Sequence, residues 1–164
     1  MPEDKTARPA RYDDMVSLVR SLNEQGAEYL LIGGYSLWAL GYQRATTAID
    51  ILVPPTRDSA DKVIRALLIL PDRVAADIDP AWFEEGNTIR VADEFVVDVM
   101  FNACGESFAS LVPHARTILL DDGTPVRTLD LEGLLKTKRT VRPKDAMDRV
   151  ILERALLELK ARAG

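Results

Sequence analysis

Two aspartates interrupt runs of apolar residues that otherwise have the composition of buried β-strands. Asp50 lies within Ile49–Val53, and Asp98 lies between Val97 and Val99. An ionised carboxylate is costly to bury without a partner, and aspartate is depleted in strands. We therefore expect the two acids to occupy neighbouring strand positions and to face a common ligand, for which Mg²⁺ is the simplest choice. The alternative is that each acid ends its strand and points to solvent.

A glycine-rich turn precedes the first of these strands. Gly33 and Gly34 follow the apolar segment Glu28–Ile32, and Ser36 then opens a predicted helix. Because glycine has no β-carbon, the backbone can approach a bulky anion here, and the first N–H groups of a helix favour phosphate. The same pattern also fits an ordinary tight turn in which Ser36 is the helix N-cap.

The Gly33-Gly34-x-Ser36 turn, the segment Thr46–Asp50 and the later Asp98 together resemble the nucleotidyltransferase superfamily of the DNA polymerase β type. The closer resemblance is to small bacterial AbiEii/AbiGii-type proteins, which are linked to abortive infection and toxin–antitoxin systems. A further pattern within Leu129–Asp148 extends the resemblance to nearly the whole chain. It implies an α+β fold, in which a mixed sheet flanked by helices forms the nucleotidyltransferase core and a C-terminal helical annex follows.

The resemblance also implies how the site would bind its ligands. Gly33, Gly34 and Ser36 would hold a nucleoside triphosphate (NTP), and two Mg²⁺ ions would be bound by an Asp-x-Asp pair and a third acid. Asp50 matches the second acid of the pair, and Asp98 matches the third. One ion would activate the attacking hydroxyl while the other steadies the leaving pyrophosphate. Transfer would then depend on positioning and charge neutralisation rather than on a covalent protein group.

Position 48 departs from the family pattern, because Ala48 stands where the first acid of the pair is expected. Side chains alternate along a strand, so position 48 shares a face with Asp50. Alanine supplies no oxygen ligand, and we expect the chain as written to have little transferase activity. One explanation is a substitution introduced to disable the enzyme, which we favour because Ser36, Asp50 and Asp98 are retained. The other is a naturally degenerate enzyme kept as a binding module.

Three further residues are candidates for nucleotide binding. Arg44 lies between the glycine turn and the acid strand, within reach of a triphosphate. Lys138 matches the family's lysine at the nucleotide, and its point charge suits phosphate. Asp145 matches a family acid that would orient Lys138 or the substrate, whereas we interpret Asp148 as structural because acids favour the start of a helix. For Arg44 and Lys138, a solvent-facing role stays open.

The elements that must position these residues follow from the apolar periodicity. The spacing predicts helices over 13–25, 36–41, 58–70 and 108–112. It predicts strands over 28–32, 49–53, 73–78, 88–91, 95–101, 117–120 and 125–128, with turns at 93–94 and 121–123. From residue 130 the pattern is helical with an interruption at Arg142-Pro143, which divides it into 130–141 and 144–162. We expect a loose leader over 1–12, a core over 13–128 and a helical extension over 129–164 packed on the same domain.

Composition limits the classes of function. The 164 residues are 47% hydrophobic and have a formal net charge of −5, which suits a folded core and excludes a basic nucleic-acid coat. A single cysteine excludes an internal disulfide and a thiolate zinc cage. The polar N-terminus has no signal-peptide pattern, and no apolar run is long enough to span a membrane. We therefore expect a cytoplasmic protein without a membrane partner.

The family resemblance implies a metal-dependent nucleotidyltransferase toxin that transfers NMP from NTP to RNA, with the 3′ end of tRNA as acceptor and an antitoxin protein as partner. The basic extension would contact the phosphates of the RNA. Three alternatives stay open: an MNT-type antitoxin that modifies a partner toxin, a small-molecule (antibiotic) transferase, and a non-catalytic module that binds nucleotide or a partner. The nucleotide, the acceptor and the oligomeric state are also left open.

Overall fold

A four-stranded mixed sheet forms the centre of the protein in a computed structural model that describes residues 7–43, 45–138 and 143–163. Its strands are β1 (Leu30–Ile32), β2 (Ala48–Leu52), β3 (Ile89–Ala92) and β4 (Val96–Met100). Their order is β1-β2-β4-β3, with β2 and β4 parallel and the other two pairings antiparallel. Because β3 lies at the edge, the chain crosses over between β2 and β4, and these two strands become neighbours at the centre of the sheet.

A separate hairpin covers the β1 side of this sheet. Its strands β5 (Ala115–Leu119) and β6 (Pro125–Leu129) pair antiparallel, as the predicted turn at 121–123 requires. The hydroxyl of Thr128 donates a hydrogen bond of 2.7 Å to the Leu31 carbonyl, which joins the hairpin to the sheet.

Helices surround the two sheets, and the described residues form an α+β protein. The α-helices of that part are α1 (Tyr12–Glu24), α2 (Gly34–Ala39), α3 (Arg57–Leu67), α4 (Ala81–Glu85), α5 (Phe108–Leu111), α6 (Leu131–Lys136) and α7 (Pro143–Ala163). No helix in the described ranges is long and apolar enough to cross a membrane.

The two faces of the four-stranded sheet differ in their surroundings. On one face, side chains such as Ile49, Ile51 and Val97 are fully buried in a large apolar core with residues of α1 and α3. On the other face a smaller apolar cluster includes Leu30 and Leu52, together with residues of α6 and α7. This cluster covers one end of the second face and adjoins the polar positions of β2 and β4.

The N-terminal segment differs from the expected loose leader. Residues 1–6 lie outside the described part, but the Arg8 and Ala10 N–H groups donate to the carbonyls of Glu94 and Thr47, each at 3.0 Å. The Arg8 guanidinium also lies 5.5 Å from the centre of the Phe95 ring. Helix α1 begins at Tyr12, so the segment from Arg8 onwards is attached to the fold because the ends of β2 and β4 offer backbone partners.

The predicted strand over 73–78 is wrong, because this segment forms a 3-10 turn, Val74–Asp77, after a left-handed Arg73 (φ 51°). The buried carboxylate of Asp93 accepts the N–H groups of Asp72 and Val74, each at 3.0 Å. These N–H groups are therefore satisfied by a side chain instead of a β-ladder.

Several predicted boundaries also shift. The helix predicted over 36–41 begins at Gly34, and the one predicted over 58–70 ends at Leu67. Helix α4 was not predicted from the sequence. The C-terminal helices are observed as α6 and α7, while residues 139–142 between them lie outside the described part.

Candidate active site

Asp50 and Asp98 are direct neighbours across the central strand pair. They are register partners in the parallel pairing of β2 with β4, so their Cα atoms lie at the spacing of adjacent strands, about 4.8 Å. Both side chains lie on the second face, opposite the buried Ile49 and Val97. The juxtaposition predicted from the sequence is thus confirmed, while the ligand of the two acids stays a prediction.

Arg90 extends this pair into a row of three charges across three strands. Arg90 is the register partner of Asp98 on β3, and its Nε and one terminal nitrogen donate to the two carboxylate oxygens at 3.0 and 3.2 Å. The hydrogen bonds and charge of Asp98, followed by the charge of Asp50, raise the pKa of Arg90. The guanidinium is therefore a permanent cation beside the two acids.

Gly33 lies directly against the Asp50 carboxylate. Its φ of +72° favours glycine, and a β-carbon at this position would overlap the Asp50 Oδ2 atom and lie 3.0 Å from its Cγ. The close approach predicted for a bound anion is therefore made by the protein's own carboxylate. Gly34, the second glycine of the turn, is the buried first residue of α2.

The sequence suggested Ser36 as the N-cap of α2, but Ser36 does not occupy that position. The helix begins two residues earlier because Gly33 occupies the cap position, which places Ser36 within the first turn. Its side chain is fully buried, and its hydroxyl donates to the Gly33 carbonyl. This bond stabilises the turn beside Asp50, and a contact between Ser36 and nucleotide stays a prediction.

A cavity of about 220 Å³ connects Asp50 with the C-terminal part of the chain. It is lined by Ile32, Gly33, Asp50, Met100, Asn102, Ala103, Cys104, Thr137 and Lys138. The sequence indicated Asp50 and Lys138 separately, and the structure brings them to one cavity. Asn102, Ala103 and Cys104, which come shortly after β4, were not predicted as site residues. The sequence signal that could have indicated them is their position beyond the carboxyl end of a parallel strand, where α/β sheets usually bind ligands.

Lys138 is held by two buried acids. Its ammonium lies 2.9 Å from Asp148 Oδ2 and 3.5 Å from Asp145 Oδ1, and all three residues are almost completely buried. Charged groups are tolerated inside a protein when they are paired in this way. Asp148, interpreted from the sequence as a residue at the start of a helix, is thus the nearer partner of Lys138.

Position 48 lies on the face that carries the two acids. Ala48 is half-buried, pairs with Val96 in the β2–β4 register and has its side chain on the same side as Asp50. Its methyl group supplies no ligand atom. Arg44, the remaining candidate, lies outside the described residues.

The residues present do not fit a two-ion metal centre. Such a centre requires three carboxylates, and this face supplies two, of which Asp98 already uses both oxygens to accept from Arg90. Among the described residues, no group of three or more His, Cys, Asp or Glu side chains is arranged to hold a metal ion. Ala48 lies on this face and adds no carboxylate to it.

Comparison with protein-family models and with curated protein sequences gives no match for this chain. Its function must therefore be inferred from the residues of the site.

Proposed function

We propose that this chain has a nucleotidyltransferase core of the polymerase β type, in the class of small AbiEii/AbiGii-like toxins, and that Ala48 prevents it from catalysing transfer. The observation that carries the proposal is the register pairing of Asp50 with Asp98 on one face of the sheet. Two acids at adjacent positions of central strands are unfavourable for stability, which supports a role in chemistry.

The cavity beside Asp50 supports the nucleotide part of the proposal. A phosphoryl group bound there would meet the positive charge of Lys138, whose position is set by Asp145 and Asp148. Gly33 leaves room for the Asp50 carboxylate at the edge of the same cavity. In this proposal Lys138 binds the phosphoryl group, and Asp145 and Asp148 orient Lys138. Gly33 allows the close packing of the Asp50 carboxylate.

Aspartate at position 48 would complete the set of acids. Position 48 and Asp50 lie on the same side of β2, so this change would place a third carboxylate on the face that carries Asp98. We propose that a chain with this residue transfers NMP from NTP to RNA, with the tRNA 3′ end as acceptor. Residues 132–164, which carry nine Lys or Arg and five Asp or Glu, would contact the RNA phosphates. An antitoxin protein is the proposed partner.

A second candidate is a non-catalytic module that binds nucleotide or a partner protein. Two observations favour it for the chain as written: Ala48 lacks a ligand atom, and Arg90 already neutralises Asp98. In this case Asp50, Asp98 and Arg90 would form a fixed charge pattern, and no bond would be made or broken.

The Ala48→Asp variant separates the two candidates. We expect this variant to label total tRNA from radioactive NTP in the presence of Mg²⁺ at least about a hundredfold faster than the parent chain, because charge stabilisation by bound metal is worth several kcal/mol. Parallel reactions with the protein encoded next to this chain and with aminoglycosides as acceptors distinguish toxin, antitoxin and antibiotic-modifying activities.

Ala48→Asn is the matched control, because it has nearly the same size as aspartate and no charge. It should remain as inactive as the parent, and Ala48→Asp combined with Asp98→Asn should also be inactive. Equal activity of the parent and Ala48→Asp would contradict the role of position 48. Absence of labelling on every acceptor, with Mg²⁺ and all four NTPs present, would favour the binding module.

A further inference from the structure

The row formed by Arg90, Asp98 and Asp50 has a feature that the nucleotidyltransferase pattern does not require. The guanidinium of Arg90 donates to both oxygens of Asp98, the third acid, at 3.0 and 3.2 Å. The Asp98 side chain is 15% exposed, whereas that of Arg90 is 67% exposed. The arginine therefore covers the acid from the solvent side.

We infer that Arg90 is an internal counter-ion that occupies the cation position at Asp98 and opposes the binding of a divalent metal. The inference rests on the proposed function, which makes Asp98 a metal-binding acid. A divalent cation needs the carboxylate oxygens that Arg90 uses, and a guanidinium beside the site also repels it. Arg90 therefore competes with a metal ion for the Asp98 carboxylate.

The Arg57–Glu84 pair shows why Arg90 differs from an ordinary surface arginine. Arg57 is similarly exposed, at 62%, but makes a single 2.6 Å hydrogen bond to a glutamate that is 54% exposed. Arg90 instead donates to both oxygens of an acid whose side chain is only 15% exposed. Arg57 thus provides a matched control in the same chain.

The test is a titration with Mn²⁺ alone, followed by electron paramagnetic resonance at low ionic strength, where screening is weak. We expect Arg90→Gln to bind Mn²⁺ at least about tenfold more tightly than the parent chain, because the cation that competes for the Asp98 carboxylate is gone. Arg90→Lys keeps the charge but loses the planar pair of donors that contacts both carboxylate oxygens, and it should give an intermediate affinity.

Two control variants establish where the metal binds. Arg57→Gln should have the Mn²⁺ affinity of the parent chain, and Arg90→Gln combined with Asp98→Asn should lose the gain. The inference is overturned if Arg90→Gln and the parent bind Mn²⁺ equally, including the case in which neither binds, or if the gain survives Asp98→Asn. If Arg90→Gln does not fold, unchanged affinity in Arg90→Lys has the same meaning.

This measurement does not depend on transferase activity. If Arg90→Gln binds Mn²⁺ more tightly and the Ala48→Asp variant is inactive, the role of Arg90 as a counter-ion is supported and the proposed transferase activity is rejected. An active Ala48→Asp variant together with unchanged Mn²⁺ binding by Arg90→Gln would support the transferase and reject the role of Arg90 as a counter-ion.

Discussion

The two faces of the four-stranded sheet are built from the same strands but have opposite properties. Ile49, Ile51 and Val97 point into a fully buried apolar core, whereas Asp50 and Asp98, on the alternate positions, carry charge. Because side chains alternate, a slip of one residue would place the acids in the core. The apolar face therefore fixes the register, and the register in turn fixes the acids opposite each other.

The largest difference between the faces should appear in stability. Ile51→Ala removes a fully buried side chain and should lower the free energy of unfolding by about 3 kcal/mol. Asp98→Asn, on the charged face, should change it by less than about 0.5 kcal/mol, because its partner Arg90 is 67% exposed, which weakens the pair by solvent screening, and because the substitution relieves repulsion from Asp50. Urea unfolding checks both values, and equal losses would mean that the charged face also supports the fold.

The contact between Gly33 and Asp50 gives the next prediction. Gly33→Ala and Gly26→Ala both place alanine at a positive φ, 72° and 67°. At Gly33 the ψ of −159° adds backbone strain, because this region is accessible essentially to glycine alone, at a cost of about 1–3 kcal/mol. A β-carbon at Gly26 meets open space, whereas one at Gly33 overlaps the Asp50 carboxylate. Gly33→Ala should therefore be about 1–2 kcal/mol more destabilising in the same urea experiment. The excess should shrink when Asp50→Ala is added, and an excess that persists would place its origin elsewhere.

The smallest predicted effect compares two arginine–aspartate forks. Asp14, on the helix that covers the apolar face, accepts from Arg8 at 2.6 and 2.9 Å and from the Arg11 N–H at 2.8 Å. The hydrogen bonds from Arg8 outweigh burial and lower the pKa of Asp14. Asp14→Asn should therefore cost about 1 kcal/mol at pH 7, more than Asp98→Asn.

The stabilisation that Asp14 provides should decrease as the pH falls. A lowered pKa in the folded state stabilises the protein fully above the unfolded pKa of aspartate, about 3.9, and the contribution disappears as the pH falls through the folded value. The difference in unfolding free energy between the parent and Asp14→Asn should thus be constant near neutrality and should narrow in acid. A constant difference down to the acid limit would contradict the assignment of this pKa to Asp14.

Part of this arrangement was predictable from the sequence. Apolar runs around Asp50 and Asp98 indicated strands, and the expected position of both acids on neighbouring strands is confirmed. The predicted hairpin turn near Glu94 also contained the information that Arg90 lies opposite Asp98. Arg90 and Asp98 are equally far from Glu94 in sequence, and antiparallel strands pair such residues.

Other features depend on contacts that local patterns do not contain. The segment 73–78 has the composition of a strand, but the distant carboxylate of Asp93 accepts the N–H groups of Asp72 and Val74 and stabilises a turn at its start. Helix α2 begins at Gly34 because Gly33 occupies the cap position in a non-helical conformation, directly against the Asp50 carboxylate. The pairing of Lys138 with Asp148 likewise required the packing of two helices.

The parallel pairing of β2 with β4 has a consequence for when this face is formed. A nascent chain that has released β2 from the ribosome carries Asp50 but must still deliver α3, α4 and β3 before Asp98 arrives. Non-local strand pairing of this kind is slow, since a long loop must close first. Asp50 and Asp98 therefore cannot become neighbours before β4 has left the ribosome.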